Sequence, residues 1–173
     1  MSIAKKTCYL FILIHGTFFA VASVAQTCNS NIPLKTPTSE FTDHGDGTLT
    51  HQRTGLMWKK CIEGLSGSGC DQGSASAMNW SGALTHAASH EFAGHMVWRL
   101  PNIKELASIA ETACYAPAMN LSVFPNEPGS LVWSSSPNAN YSDSAWALDF
   151  DDGYDGTHTK NGLKYVRLVR GGQ

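Results

Sequence analysis

Trp80-Ser81-Gly82-Ala83-Leu84-Thr85-His86-Ala87-Ala88-Ser89-His90-Glu91-Phe92 is the stretch at which the chain changes its period. Trp80, Ala83, Leu84, Ala87, Ala88 and Phe92 fall at i, i+3, i+4, i+7, i+8 and i+12, the spacing of an apolar stripe along a helix. Asn79 or Ser81 can cap its start. A second helix is signalled by Asn102-Ile103-Lys104-Glu105. There the Asn side chain can accept from the amide three residues on while Glu105 reaches back, a variant of the capping box. Ile103, Leu106, Ala107 and Ala110 would form its core face.

On either side of these helices the pattern is that of strands. Asp46-Gly47 sits between Phe41-Thr42 and Thr48-Leu49-Thr50, and Thr54-Gly55 precedes Leu56-Met57-Trp58, which reads as a small antiparallel meander with glycine-supported turns. Beyond Pro117 the helical period is lost. Three short β-rich runs, residues 131–135, 145–150 and 163–170, take over, with Trp146, Leu148 and Phe150 expected on one face. An N-terminal hairpin or meander, two helices and then antiparallel strands make an α+β layout, not a βαβ alternation.

The first 25 residues read differently. Lys5 and Lys6 precede an apolar run from Cys8 to Val21, and Ser23-Val24-Ala25 places small residues before a cut at Gln26, the pattern of a secretory signal peptide. His15 and Gly16 interrupt the run, and no charged stop-transfer flank follows, so a retained membrane span is disfavoured. Residues 26–40, with Pro33 and Pro37, read as an extended N-terminal arm, and residues 41–173 as the domain. The expected product is secreted or periplasmic, without a membrane span once the signal is removed.

Cleavage would leave 148 residues, enough for one core without a structural metal. Removing Lys5 and Lys6 from the 12 basic side chains leaves ten against 14 acidic ones, a net charge of −4. That sign argues against nucleic acid, anionic membrane or heparin as partners recognised by bulk charge. Four cysteines remain, Cys28, Cys61, Cys70 and Cys114, an even number in an exported chain. Of the three pairings, Cys61 with Cys70 is favoured because the Gly/Ser-rich stretch 64–69 closes without strain, leaving Cys28 for Cys114. The loop-entropy model assigns about 3 kcal/mol to the short loop and about 4 to 5 to the long one.

Six blocks then carry a resemblance: 41–48 (Phe-Thr-Asp-His-Gly-Asp-Gly-Thr), 54–58 (Thr-Gly-Leu-Met-Trp), 98–102 (Trp-Arg-Leu-Pro-Asn) with Glu105-Leu106, 123–125 (Val-Phe-Pro), 133–136 (Trp-Ser-Ser-Ser) and 165–170 (Tyr-Val-Arg-Leu-Val-Arg). In this order they resemble the motif series of the Lcl C-terminal domain family, named for the end domain of a collagen-like bacterial adhesin. The resemblance implies a C-type-lectin-like fold, export from bacteria and, as in the founding adhesin, binding of sulfated polysaccharide by a trimer. Read as residues alone, Leu56-Met57-Trp58, Trp98-Arg99-Leu100-Pro101 and Val123-Phe124-Pro125 suit a core and its turns, because large aromatics dominate burial. Arg99 is expected to be a part-buried cation facing an acidic side chain or helix-end carbonyls.

Candidate sites are few. His86 and His90, four apart with His95 nearby, have zinc-ligand spacing, but on a helical wheel they fall opposite the apolar stripe, which predicts a solvated face. Asp149, Asp151, Asp152 and Asp155, with two glycines between and after them, could wrap a hard cation through oxygen ligands. Calcium is therefore the one cofactor the sequence suggests, although Asp-Gly pairs are also ordinary hairpin turns. Asp43 with Asp46 is a weaker pair of the same kind. No nucleophile elbow, phosphate loop or free Cys/His pair is present. The formylglycine-generating oxidases that share the lectin-like fold need a late cysteine pair, and here the last cysteine is Cys114. The expectation is a secreted, non-catalytic binding module whose loops between residues 126 and 162 present Trp133, Asn138, Tyr141, Asp152, Tyr154, His158 and Lys160 to a glycan or surface protein. The alternative is a structural or assembly component of the cell envelope without a small-molecule ligand.

Overall fold

In the computed structural model, which describes residues 25–171, the elements follow the expected order. The expected signal peptide lies outside the described residues but for Ala25. In chain order the strands are β1 (Thr27–Cys28), the meander β2 (Phe41–Asp43), β3 (Thr48–His51) and β4 (Leu56–Lys59), then β5 (Leu65–Ser66), β6 (Gln72–Gly73) and β7 (Ala77–Met78). After the helices α1 (Trp80–Ala88) and α2 (Ile103–Ser108) come β8 (Cys114–Tyr115), β9 (Leu131–Pro137), β10 (Ser144–Asp149), β11 (Asp155–Thr159), β12 (Lys164–Tyr165) and β13 (Val169–Arg170).

Two larger sheets organise the molecule, one of five strands in the order β11-β10-β9-β12-β7 and one of four in the order β13-β4-β3-β2. All pairings are antiparallel except β12 with β9. Both helix starts behave as the local sequence dictates. Asn79 accepts from the Gly82 amide, and Asn102 and Glu105 form a complete capping box. Arg99 donates to both oxygens of that same Glu105, at 2.7 and 2.8 Å, so one carboxylate holds a helix start and the Trp98-Arg99-Leu100 strand-like segment together.

The central strands of the five-stranded sheet, β9 and β10, are buried on both faces. Val132 and Leu148 join Leu106, Ile109, Phe124, Trp58 and Phe150 in one apolar cluster, whereas Trp133, Ala145 and Ala147 join Ala83, Ala87, Trp98 and Leu168 in another. The helices therefore cover opposite faces, α2 on the first and α1 on the second. Strands buried on both sides lose the simple apolar/polar alternation, and a register shift between Ala145 and Ala147 further separates half-buried Trp146 from Leu148 and Phe150.

Three local expectations change. Helix α1 stops at Ala88, four residues before Phe92, because the Ser89 hydroxyl donates to the Thr85 and His86 carbonyls and competes with continued helix. Residues 163–170 are not one strand: β12 lies in one sheet and β13 in the other, and the stretch between them carries the chain across. Residues 155–159, read as the end of an acidic loop, form the edge strand β11, which the hairpin partner β10 imposes on a polar sequence.

Both disulfides take the favoured pairing, Cys61 with Cys70 and Cys28 with Cys114. The second fastens the N-terminal arm, which is further held by Gln26 donating to the Pro117 and Met119 carbonyls and by Glu111 accepting from Lys35 and Thr36. Opening this long loop by Cys28→Ser with Cys114→Ser should lower the unfolding free energy by on the order of 4 kcal/mol, measured by urea denaturation. A loss below about 1 kcal/mol would mean that the arm is held by its hydrogen bonds and not by the staple.

Candidate functional site

The turn between β2 and β3 and the loop closed by the Cys61–Cys70 disulfide face each other across a cleft of about 510 Å³. Its walls are Asp43, Asp46 and Gly47 on one side and Leu65 to Ser68 on the other, with Phe92, Lys59, Lys60 and Cys61 between them. The turn is shaped by its own side chains, since Asp43 accepts from the Gly45 amide at 2.9 Å and Asp46 accepts from the Thr48 amide and hydroxyl at 2.9 and 2.6 Å. Gly47 has φ +89°, and a Cβ there would stand 2.8 Å from the Phe92 ring, so a bare backbone is what lets that ring close the cleft.

Charge is arranged at the mouth. Lys60 Nζ donates to Asp43 Oδ2 at 2.8 Å, and this hydrogen bond, followed by the Gly45 amide, holds the Asp43 carboxyl below its ordinary range. The Asp46 carboxyl is lowered chiefly by the Thr48 hydroxyl. Lys59 points the other way, with its ammonium 4.6 Å from the centre of the Phe92 ring.

Behind Lys59 lies a second feature. The buried Glu63 carboxylate accepts from Lys59 Nζ at 2.7 Å on Oε1 and from His86 Nε2 at 2.7 Å on Oε2, and His90 Nδ1 lies 3.8 Å from Oε2. Lys59 also donates to His90 Nε2 at 3.2 Å, which leaves the ring proton of a neutral His90 on Nδ1, facing Glu63. Burial pulls the His90 pKa down, so the neutral ring is favoured. Among the described residues, Glu63, His86 and His90 are the one group of three His, Cys, Asp or Glu side chains whose ligand atoms all lie within 4.8 Å of one another. The solvated face expected for His86 and His90 is thus corrected. The loop that follows β4 folds over that side of α1, a long-range contact with no trace in the helical period. His95 stands outside the group and uses its carbonyl to accept from Trp98.

The seven residues expected to face a ligand do not form one surface. Trp133 is fully buried, its indole donating to the Met78 carbonyl at 2.9 Å and its ring covered by Lys164, so it is core and not a stacking platform. Asn138, Tyr141, His158 and Lys160 lie toward the end of the β10–β11 hairpin where Ser144 pairs with Thr159, and Lys160 is spent on the Trp80 ring and the Ser142 carbonyl. Asp152 and exposed Tyr154 sit in the turn at its other end, four residues along the strand or roughly 13 Å away. In that turn Asp149 accepts from the Asp151 amide and Asp152 from the Tyr154 amide, and no three of Asp149, Asp151, Asp152 and Asp155 converge. Sequence reasoning gave Lys59, Lys60, Glu63 and Phe92 no place in a cleft or cluster, because partners distant in sequence, Asp43 for Lys60, His90 for Lys59 and His86 for Glu63, bring them there.

The family model of the Lcl C-terminal domain matches residues 47–170. No curated protein matches the chain.

Histidines give the domain an acid limit. Burial lowers the pKa values of His51, His90 and His158 below the ordinary 6.5, so the unfolded chain binds protons that the folded one refuses. Their contribution is fully present above about pH 6.5 and declines as the pH falls from there. Carboxylates with lowered pKa values, Glu105 and Glu111 among them, keep their contribution until the pH falls below about 4.5. Urea unfolding followed from pH 7.5 to 4 should therefore show a first decline starting near pH 6.5 that is diminished in His51→Gln with His90→Gln. A flat profile down to pH 5 would contradict this reading.

Proposed function

The chain belongs to the Lcl C-terminal domain family, and from that premise we propose that it is an exported, non-catalytic binding module of the bacterial surface that takes a glycan or surface protein in the cleft beside Phe92. The observation that carries this reading is the cleft itself: an aromatic and aliphatic floor meets a paired carboxylate and ammonium at the mouth. Apolar walls with a few oriented polar groups are what a small recognition site requires, and a ring face with adjoining carboxylate and amine suits sugar hydroxyls as well as a polar peptide. The two disulfides support an oxidising compartment, periplasmic or extracellular. Among the described residues no helix is long and apolar enough to cross a membrane. A C-type-lectin-like arrangement of the α+β elements is part of the same proposal.

The second reading, a structural or assembly component of the envelope, is favoured by the loop that follows Phe92. Met96 and Val97 are 62% and 78% exposed there, and Val97 is held at φ +68°, a strained conformation for a β-branched residue. Isolation of a stable envelope complex that dissolves on Met96→Ser with Val97→Ser would support this second reading over the first.

A glycan array probed with and without calcium tests the leading proposal, the calcium arm addressing the turn from Asp149 to Asp155. Lys60→Ala and Asp43→Ala should each weaken cleft binding at least tenfold while changing stability by no more than about 1 kcal/mol, because the pair is a single ion pair at the cleft mouth whose carboxylate is exposed. Binding unaffected by both replacements would remove the cleft from the proposal.

A further inference from the structure

Three side chains from separate parts of the chain converge behind the cleft. Glu63 comes from the loop after β4, His86 from the last turn of α1, and His90 from the segment that leaves that helix. The Glu63 carboxylate is buried and the two imidazoles are half-buried, so the donor atoms are shielded from bulk water without being sealed from it. What they enclose is positive charge, since the Lys59 ammonium sits 2.7 Å from Glu63 Oε1 and 3.2 Å from His90 Nε2.

We propose that Glu63, His86 and His90 form a binding site for a divalent transition-metal ion of the zinc class, with Lys59 as an internal cation that the metal displaces. The donor chemistry is selective. Two imidazole nitrogens and one carboxylate oxygen suit zinc and its neighbours, whereas calcium and magnesium prefer all-oxygen sets. The geometry is close to what coordination needs. Zinc bonds of about 2.0 to 2.2 Å at tetrahedral angles separate ligand atoms by roughly 3.2 to 3.6 Å, and the His86–Glu63 and His90–Glu63 separations are 2.7 and 3.8 Å. All three ligand atoms lie within 4.8 Å of one another, so side-chain shifts of about 1 Å would assemble the site. The proton that His86 Nε2 now donates to Glu63 moves to Nδ1 or leaves, freeing Nε2 as a ligand, and the Nδ1 proton of His90 moves to Nε2, freeing Nδ1.

Lys59 decides the consequence. The metal would take Glu63 Oε2 and His90 Nδ1, and a neutral His90 bound through Nδ1 carries its proton on Nε2, where it can no longer accept from the Lys59 ammonium; the dication beside Glu63 also repels that ammonium, so metal entry drives Lys59 away. Its side chain already lines the cleft and lies over the Phe92 ring. Metal loading therefore turns an internally neutralised lysine into a free cation at the cleft, and the two features become one linked unit. Three protein ligands also leave the metal a further coordination position.

The test uses the full-length, disulfide-bonded protein and the metal ions alone. Zinc chloride should bind at one equivalent and raise the melting temperature, and cobalt chloride should produce a visible absorption band of four- or five-coordinate intensity. His86→Gln and His90→Gln should each weaken zinc at least tenfold with their metal-free melting temperatures close to that of the parent, since both rings are part-exposed. Lys59→Met removes the competitor and should tighten zinc at least tenfold, a gain that no merely structural role of this cluster produces. Absence of a zinc-induced shift in both the parent and Lys59→Met would overturn the proposal, as would zinc binding that survives His86→Gln with His90→Gln combined, because the metal would then be held by other histidines.

Discussion

Arg167 is a guanidinium with no solvent exposure, placed where the chain crosses from the five-stranded to the four-stranded sheet. Its Nη1 donates to the Lys59 and Lys60 carbonyls at 2.9 and 3.1 Å, its Nη2 donates to the equally buried Glu127, and its plane lies over the Phe124 ring at 4.7 Å. Three segments distant in sequence therefore meet on one side chain. Removing two ions from water costs several kcal/mol each and is recovered only with good geometry. Here the recovery is incomplete: Arg167 Nε and Glu127 Oε1 have no hydrogen-bond partner, and burial pushes the Glu127 carboxyl above its ordinary pKa. The pair is thus better understood as a constraint that fixes geometry than as a source of net stability.

What it fixes is the backbone from which the site projects. With both carbonyls held by Arg167, with the Lys59 amide on the Leu168 carbonyl and with the Glu63 amide on the Val166 carbonyl, the segment 59–63 has little freedom. Adjacent residues then point apart, Lys59 toward Glu63 and His90 and Lys60 toward Asp43. The Cys61–Cys70 disulfide draws the opposite wall in from the same segment. Cleft and cluster are consequently two outputs of one clamped strand end, and Phe92, which touches both, rests in its place only because Gly47 has no side chain.

Much of this scaffold is legible in the sequence because it is decided locally. The Asp46-Gly47 turn, the Asn79 cap, the Asn102/Glu105 capping box and the short Cys61–Cys70 loop each need residues within ten positions of one another. The helix stripe was legible up to Ala88, and Phe92 was misplaced because the Ser89 hydroxyl, a side-chain competitor for backbone carbonyls, ends the helix early. Trp133 was misplaced for a different reason. Its strand is covered on both faces, so an aromatic flanked by serines is core although its neighbourhood reads as half polar. The least legible residues are Lys59, Glu63 and Arg167, which meet His90, His86 and Glu127 respectively, 31, 23 and 40 residues away. Charged residues in a strand-rich segment read as solvent-facing until the topology shows what meets them.

The central claim is that one buried cation holds the strand end that carries the site. Urea unfolding of Arg167→Met tests it most directly, because methionine fills similar apolar volume and deletes only the charge and its donors. The account predicts a loss of about 3 to 5 kcal/mol, from stranding the Glu127 carboxylate and the Lys59 and Lys60 carbonyls. A loss below about 1 kcal/mol would contradict it, showing that packing alone keeps the crossing in place.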